Sequence, residues 1–142
     1  MSENLVRPAV KALIENEAGE ILVLKAVGEK RTYLLLPGGK VEYGETPVGA
    51  LIREVKEEVS CRIDVGDVVG VYHYFADEGE SEGDEIVLTV FEGDIESVDA
   101  VDISNNPADE GIEEYLWISP EELVEETETR ELSKFISDEY NI

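Results

Sequence analysis

The spacing of apolar residues predicts a chain of short strands with one helix in the middle and helices at the end. Runs rich in β-branched and aromatic residues predict strands at residues 8–14, 20–26, 31–36, 62–75, 85–92 and 114–118. The turn-forming segment 16–19 separates the first two strands, so we expect them to form a hairpin. A Ser119-Pro120 start signal predicts one terminal helix, and residues 129–137 predict another. This order predicts an α/β layered sandwich with a mixed sheet.

The most strongly patterned stretch is a helix that begins after Thr46. The Thr46 hydroxyl can accept a hydrogen bond from a first-turn amide, and Pro47 suits the first position because its missing N–H costs nothing there. Apolar residues at helical spacing predict one buried stripe, formed by Val48, Leu51, Ile52, Val55 and Val59. Glu54, Glu57 and Glu58 project beside this stripe, so we expect them at the rim of the core.

A glycine pair, Gly38 and Gly39, precedes this helix. Glycine lets the backbone approach a phosphate or a metal more closely than a side chain would allow. Three neighbouring carboxylates repel one another on a helix, and a divalent cation would reverse that repulsion. Ligation by oxygen alone suits Mg²⁺ or Mn²⁺ better than Zn²⁺. The alternative interpretation is that these glutamates form an ordinary solvated surface, which is common in so acidic a chain.

Five residues separate Gly39 from Glu45, and seven residues separate Glu45 from the run REVKEE at residues 53–58. This pattern closely resembles the Nudix box, the loop–helix–loop signature of the Nudix hydrolases. The sequence LPGG before the helix and the segment WISPEEL near the end of the chain also look like Nudix counterparts. The resemblance implies one Nudix domain over residues 1–142, with an α/β/α sandwich around a mixed β-sheet and a loop–helix–loop catalytic motif.

The resemblance also implies a role for each residue of the box. Its carboxylates and one backbone carbonyl would hold Mg²⁺ or Mn²⁺, with the ligand set Gly38, Glu54, Glu57 and Glu58. Arg53 would orient this cluster with Glu45 as its partner, and a guanidinium can indeed bridge two carboxylates in a fixed geometry. The residues implied in catalysis are Glu45, Arg53, Glu54 and Glu57, and those implied in cofactor binding are Gly38 and Gly39.

The implied reaction is hydrolysis of a nucleoside diphosphate linked to another group. The proline that marks ADP-ribose hydrolases is absent, since Ala76 and Asp77 stand there. We therefore favour a mutator-type nucleoside triphosphate pyrophosphohydrolase, with an ADP-ribose or other nucleotide-sugar pyrophosphatase as the alternative. A Nudix-fold sensor that binds a nucleotide without cleaving it, or an acidic cation-binding protein, are alternatives of other classes. The general base is either a helix glutamate or one from a later loop, where the candidates are Glu110, Glu113 and Glu114.

Other residue types in the chain have simpler interpretations. Ser60 and Cys61 stand where the family has glycine and an aliphatic residue, at the end of the helix, and we expect Cys61 to pack in the core. His73 is expected to be an ordinary strand residue. The aromatic residues Tyr72, Tyr74, Phe75 and Trp117 could stack on a base, but core packing is the commoner role.

The net charge bears on partners and environment. The chain has 35 acidic and 11 basic residues, a formal net charge of −24. Such self-repulsion destabilises a compact state in dilute buffer and is screened at high salt, so we expect a halophile-like protein. The same charge disfavours binding to nucleic acid or to an anionic membrane. The expected partner is a small nucleotide diphosphate, whose own charge bound cations would offset.

One cysteine excludes an intrachain disulfide and fits a reducing cytoplasm. No apolar run is long enough to suggest a signal peptide or a membrane span. We therefore expect a cytoplasmic protein, and a homodimer is a possible assembly.

Overall fold

A computed structural model describes residues 4–107 and 111–142. Its elements, in chain order, are β1 (Val6–Ile14), β2 (Ile21–Val27), β3 (Thr32–Leu35), β4 (Gly38–Lys40), α1 (Pro47–Val59), β5 (Ile63–Phe75), β6 (Glu85–Ile95), a 3-10 turn (Val98–Ala100), β7 (Ile112–Ile118), α2 (Pro120–Glu126) and α3 (Arg130–Tyr140). The predicted α/β class is confirmed. Within the described ranges, no helix is both long and apolar enough to span a bilayer.

The strands form two sheets with different pairing. One sheet has the order β4-β1-β6-β5, in which β1 and β6 are parallel and the other neighbours are antiparallel. The other has the order β3-β2-β7 and is antiparallel throughout. The pairing of β4 with β1 sets Gly38 opposite Lys11 and Gly39 opposite Val10. This register fixes the glycine pair against the middle of a buried strand.

Strands β1 and β2 lie between two layers of helix. Alternate residues of β1, including Val10 and Ile14, share one core cluster with Leu51, Val55 and Val59 of α1. Leu13 faces the other way and packs in a cluster with Leu123, Leu132 and Ile136 of α2 and α3. Because both faces of these strands are covered, their sequences are almost continuously apolar rather than alternating.

The predicted hairpin between the first two strands is wrong. The chain does turn at residues 16–19, where the Asn16 side chain accepts hydrogen bonds from the amides of Ala18 and Glu20. Beyond the turn, however, only Glu15 and Ile21 pair, and the strands then enter different sheets. Each strand already has two other neighbours, β4 and β6 for β1 and β3 and β7 for β2, so neither has an edge free for a ladder between them.

The predicted buried stripe of α1 is also partly wrong. Val48 and Ile52 are 41% and 45% exposed, whereas Glu54 and Glu58 are 8% and 6% exposed. The helix is thus rotated so that two of its glutamates face inward. Polar partners explain this orientation, because the Gly38 amide donates a hydrogen bond to Glu58 Oε1 at 2.8 Å. A buried carboxylate with such a partner avoids much of the cost of desolvation.

The ends of α1 follow the sequence signals. Thr46 Oγ1 accepts a hydrogen bond from the Gly49 amide at 3.0 Å, as expected for the N-cap. At the other end, Ser60 adopts the left-handed conformation, with φ 61° and ψ 25°. Its amide donates to the Lys56 carbonyl at 3.1 Å and closes the last turn. Cys61 follows and is fully buried, as predicted.

We predict that Ser60→Gly stabilises the protein. A left-handed backbone costs a residue with a Cβ roughly 1 kcal/mol, and glycine avoids that cost. The free energy of unfolding, measured by denaturant titration at fixed salt, should rise by about that amount. Ser60→Ala keeps the Cβ and serves as the control, which should show no such gain. A glycine variant no more stable than the alanine variant would contradict this prediction.

Candidate active site

The Arg53 guanidinium connects the loop before α1 with the glutamates of the helix. Its Nε and one terminal nitrogen donate to the two oxygens of Glu45 at 2.7 and 2.9 Å, a two-pronged ion pair. Its other terminal nitrogen donates to Glu54 at 3.1 Å and to Glu57 at 3.4 Å. A further bond, at 3.3 Å, reaches the backbone carbonyl of Lys40. The structure therefore brings together the four residues that the sequence implied in catalysis.

Glu45 is held by the loop as well as by Arg53. The Glu42 amide donates to Glu45 Oε1 at 2.9 Å, and the Glu45 amide donates to the Glu42 carbonyl at 3.0 Å. The hydrogen bonds from Arg53, followed by that from the Glu42 backbone, lower the pKa of Glu45 to about 2. Glu45 therefore stays ionised, and its pairing raises the pKa of Arg53 above its ordinary value.

Glu54 lies directly beside the glycine pair. A Cβ on Gly39 would lie 2.5–2.7 Å from the carboxyl atoms of Glu54, which is too close for any side chain. Burial raises the pKa of Glu54, and the nearby charge of Arg53 opposes that rise. Only glycine at position 39 permits this approach between the loop backbone and a carboxylate.

Both backbone polar groups of Gly38 form hydrogen bonds with side chains. Its amide donates to Glu58, as described above, and its carbonyl accepts a hydrogen bond from the Lys11 ammonium at 3.3 Å. The same ammonium donates to the Leu36 carbonyl at 3.0 Å. Gly38 has a φ of 138°, and a Cβ there would lie 2.0 Å from the Val10 carbonyl oxygen. Glycine is therefore required here by both conformation and space.

A cavity of about 1070 Å³, hereafter the cleft, lies beside these groups. Its wall includes the box residues Gly38, Gly39, Glu54 and Glu58, together with Lys11, Lys40 and Glu80. A smaller cavity of about 340 Å³ adjoins it and has walls formed by Tyr33, Tyr72, Tyr74 and Phe75. We refer to this cavity as the aromatic pocket. Lys11, Leu35, Tyr74 and Leu88 line both spaces, which are therefore adjacent.

The cleft also contains three charged residues that were not predicted from the sequence, namely Lys11, Lys40 and Glu80. The signal for Lys11 was present, because a lysine interrupts the otherwise apolar run at residues 8–14. A buried lysine is rare unless it has partners. Its partners come from β4 and the residues just before it, however, and only the sheet register reveals them.

The candidates outside the box lie elsewhere. Glu113 and Glu114 are exposed residues of β7, and Glu114 lies 4.0 Å from Lys25. Neither lines the cleft, to which β7 contributes Ile112. Glu110 lies outside the described residues. His73 is exposed on β5, with Nδ1 2.7 Å from Glu85.

The fit of the box residues to a divalent cation can be judged from their chemistry. Among residues 4–107 and 111–142, no three acidic, imidazole or thiol side chains are grouped closely enough to hold a metal. Glu57 bonds to Arg53, and Glu58 bonds to the Gly38 amide. Nevertheless, the set Gly38, Glu54, Glu57 and Glu58 offers only oxygen donors, and the absence of a side chain at Gly39 lets the Glu54 carboxylate lie against the loop backbone. The residues fit a hard cation such as Mg²⁺ or Mn²⁺.

The NUDIX domain family matches residues 5–138, so the chain belongs to that family. A 49-residue segment is 43% identical to the 8-oxo-dGTP diphosphatase of Escherichia coli and covers 33% of this chain and 38% of that protein. A 64-residue segment is 38% identical to the ADP-ribose pyrophosphatase of Methanocaldococcus jannaschii and covers 45% and 38%, respectively. The match thus spans well under half the length of these curated relatives. The solved MutT protein of Methanosarcina mazei Go1 is similar over 99% of this chain and 97% of its own, with 27% identity and a TM-score of 0.81.

We predict that the ion pair of Glu45 with Arg53 makes stability depend on acid pH. Because the folded pKa of Glu45 lies near 2 and below its usual value, the pair stabilises the protein above about pH 5 and is lost as the pH falls toward 2. Glu45→Gln should therefore be less stable than wild type near neutral pH, with a difference that shrinks through this window. Thermal unfolding at a series of pH values measures it. A difference that stays constant down to about pH 2 would contradict the assigned ion pair.

Proposed function

We propose that the protein is a divalent-metal-dependent hydrolase of the diphosphate bond in a nucleoside diphosphate linked to another group, with nucleoside triphosphates as the favoured substrates. The observation that carries this proposal is the Arg53 network, which holds Glu45, Glu54 and Glu57 together at the glycine pair. Membership of the NUDIX domain family supports the same reaction.

In this proposal, Glu54, Glu57, Glu58 and the Gly38 carbonyl hold Mg²⁺ or Mn²⁺. The cation, when bound, neutralises the diphosphate and lowers the pKa of water. Arg53 keeps the carboxylates in place through its bonds to Glu45 and the helix. A helix glutamate is favoured to accept the proton of the attacking water, since Glu54 and Glu58 line the cleft and Glu113 and Glu114 do not, and Glu110 stays the alternative from the later loop.

The aromatic pocket supports a nucleoside at the other end of the substrate. Its tyrosine and phenylalanine rings can stack on a base, and it adjoins the cleft where the diphosphate would lie. The two curated relatives are named for different substrates, 8-oxo-dGTP and ADP-ribose. A nucleotide-sugar pyrophosphatase is therefore the second candidate. The triphosphate remains our first choice because the chain lacks the proline that marks ADP-ribose hydrolases.

We predict that Glu57→Gln lowers hydrolysis of the best substrate by about 100-fold or more, because it removes a carboxylate that holds the cation or accepts the proton. The measurement is release of phosphate or pyrophosphate from a panel of nucleotides and nucleotide sugars with Mg²⁺ or Mn²⁺. Glu125→Gln, which removes one exposed charge from α2, is the matched control and should retain activity. Nucleotide binding without turnover by the wild type would replace this proposal with the sensor.

The acidic surface supports a second part of the proposal, that the protein works in a salt-rich cytoplasm. With a net charge of −24, repulsion among exposed carboxylates opposes folding at low ionic strength. At molar salt the screening length falls to about 3 Å, so most of this repulsion disappears.

We predict that the thermal unfolding midpoint rises steadily from low to molar KCl, because added ions screen the repulsion. A non-ionic solute at equal osmolality is the control, since it adds no screening. A midpoint that is flat or falls with KCl, or that rises equally with the non-ionic solute, would contradict this part of the proposal.

A further inference from the structure

Lys11 is a charged residue in the interior of β1, the strand that pairs with the glycine pair of β4. It is 8% exposed, and its neighbours Val10 and Ala12 are 1% and 0% exposed. Those neighbours face α1, so the lysine side chain projects from the opposite face of β1. Its ammonium donates to the carbonyls of Leu36 and Gly38. Two backbone oxygens are thus held by a single fixed positive charge.

The same charge acts on the carboxylates of the cleft. The Lys11 side chain lines the same cleft as the Glu54 and Glu58 side chains. Gly38, whose carbonyl accepts from Lys11, has its amide bound to Glu58. The lysine therefore supplies positive charge to the part of the cleft where two inward-facing glutamates would otherwise repel each other. In a protein without bound metal, it performs part of the neutralisation that a cation would provide.

The position of Lys11 also affects a cation that binds there. The Gly38 carbonyl is both a hydrogen-bond acceptor for Lys11 and one of the oxygens in the proposed ligand set. A divalent cation on that oxygen would lie close to the ammonium, and the two like charges would repel each other strongly in a partly buried site. The lysine must therefore weaken cation binding relative to a neutral side chain of the same size.

We propose that Lys11 is a built-in counter-ion of the cleft, which stabilises the metal-free protein and weakens binding of a divalent cation at the Gly38 carbonyl. This inference rests on the proposed metal-dependent function. It gives Lys11 a role in setting metal affinity and does not make it a catalytic residue. A purely structural lysine would have the opposite effect, because its loss would disturb the ligands and weaken metal binding.

The experiment is titration of the full-length protein with Mn²⁺ alone, without nucleotide, followed by paramagnetic resonance of the free ion. Lys11→Gln removes the charge but keeps an N–H donor for the carbonyls, and Lys11→Met removes both. We expect each variant to bind Mn²⁺ roughly tenfold more tightly than wild type, or better. A single charge at 4–6 Å changes the proton affinity of a carboxylate by about tenfold at the least, and we expect a similar effect on a cation. Lys11→Arg keeps the charge and should resemble wild type.

Two controls isolate the effect. Lys25→Met makes the same change in net charge on β2, away from the cleft, and should alter Mn²⁺ affinity less than twofold, because solvent and salt screen an exposed charge. Glu57→Gln removes one of the proposed ligands, so the Mn²⁺ that this variant still binds measures nonspecific binding to the acidic surface.

Thermal unfolding adds a second measurement. Lys11→Gln should lower the unfolding midpoint without metal, and added Mn²⁺ should raise that midpoint more than it does in wild type. If Lys11→Met does not fold, the glutamine variant decides.

The outcomes separate this inference from the proposed function. Mn²⁺ binding that Glu57→Gln removes, but that is equal or weaker in Lys11→Gln than in wild type, would overturn the role of Lys11 and leave the metal-dependent function in place. Mn²⁺ binding that Glu57→Gln does not reduce would overturn both. Tighter binding in Lys11→Gln with no change in Lys25→Met would establish the counter-ion.

Discussion

The need to pair buried carboxylates organises the region formed by α1, β4 and the loop between them. Glu54 and Glu58 lie on the inward face of α1, where an unpaired charge would be strongly unfavourable. Arg53 pairs with one, and the Gly38 amide pairs with the other. These partners in turn fix the loop that ends at Glu45 and the short strand β4. Helix, loop and strand therefore hold one another through the same few polar contacts, and the cleft is the space that they enclose.

The sequence predicted what depends on local spacing. The cap at Thr46 and the proline after it were identified from residue types at fixed separations, and the Arg53–Glu45 pair was implied by the resemblance to the Nudix box. The exposure of Ile52 was not predictable in this way, because helical spacing alone does not say which face meets polar partners. Lys11 depends on the register between β1 and β4, which residue spacing does not encode. The features that could not be predicted from the sequence depend on contacts between segments that lie far apart along the chain.

The basic residues of the chain are distributed differently from the acidic ones. Of the 11 basic residues, five line the cleft or the aromatic pocket, namely Arg7, Lys11, Arg31, Lys40 and Arg130. Among the acidic residues that the structure describes, eight do so: Glu42, Glu54, Glu58, Asp77, Glu78, Glu80, Glu128 and Glu131. Basic residues are therefore over-represented in these linings, although acidic residues still outnumber them there. Most of the other described acidic residues are exposed, where they favour solubility and oppose association with other anions.

The parallel pairing of β1 with β6 has a consequence for how the protein is made. Val6 pairs with Glu85 and Ile14 with Gly93, so the strand that anchors the glycine pair lacks its partner on one side until most of the chain has been synthesised. Such non-local pairing slows folding, since a long loop must close before the contacts stabilise it. Until β6 arrives, β1 is an apolar strand with an open edge on the ribosome. Early in synthesis, that edge is a surface on which nascent chains could associate.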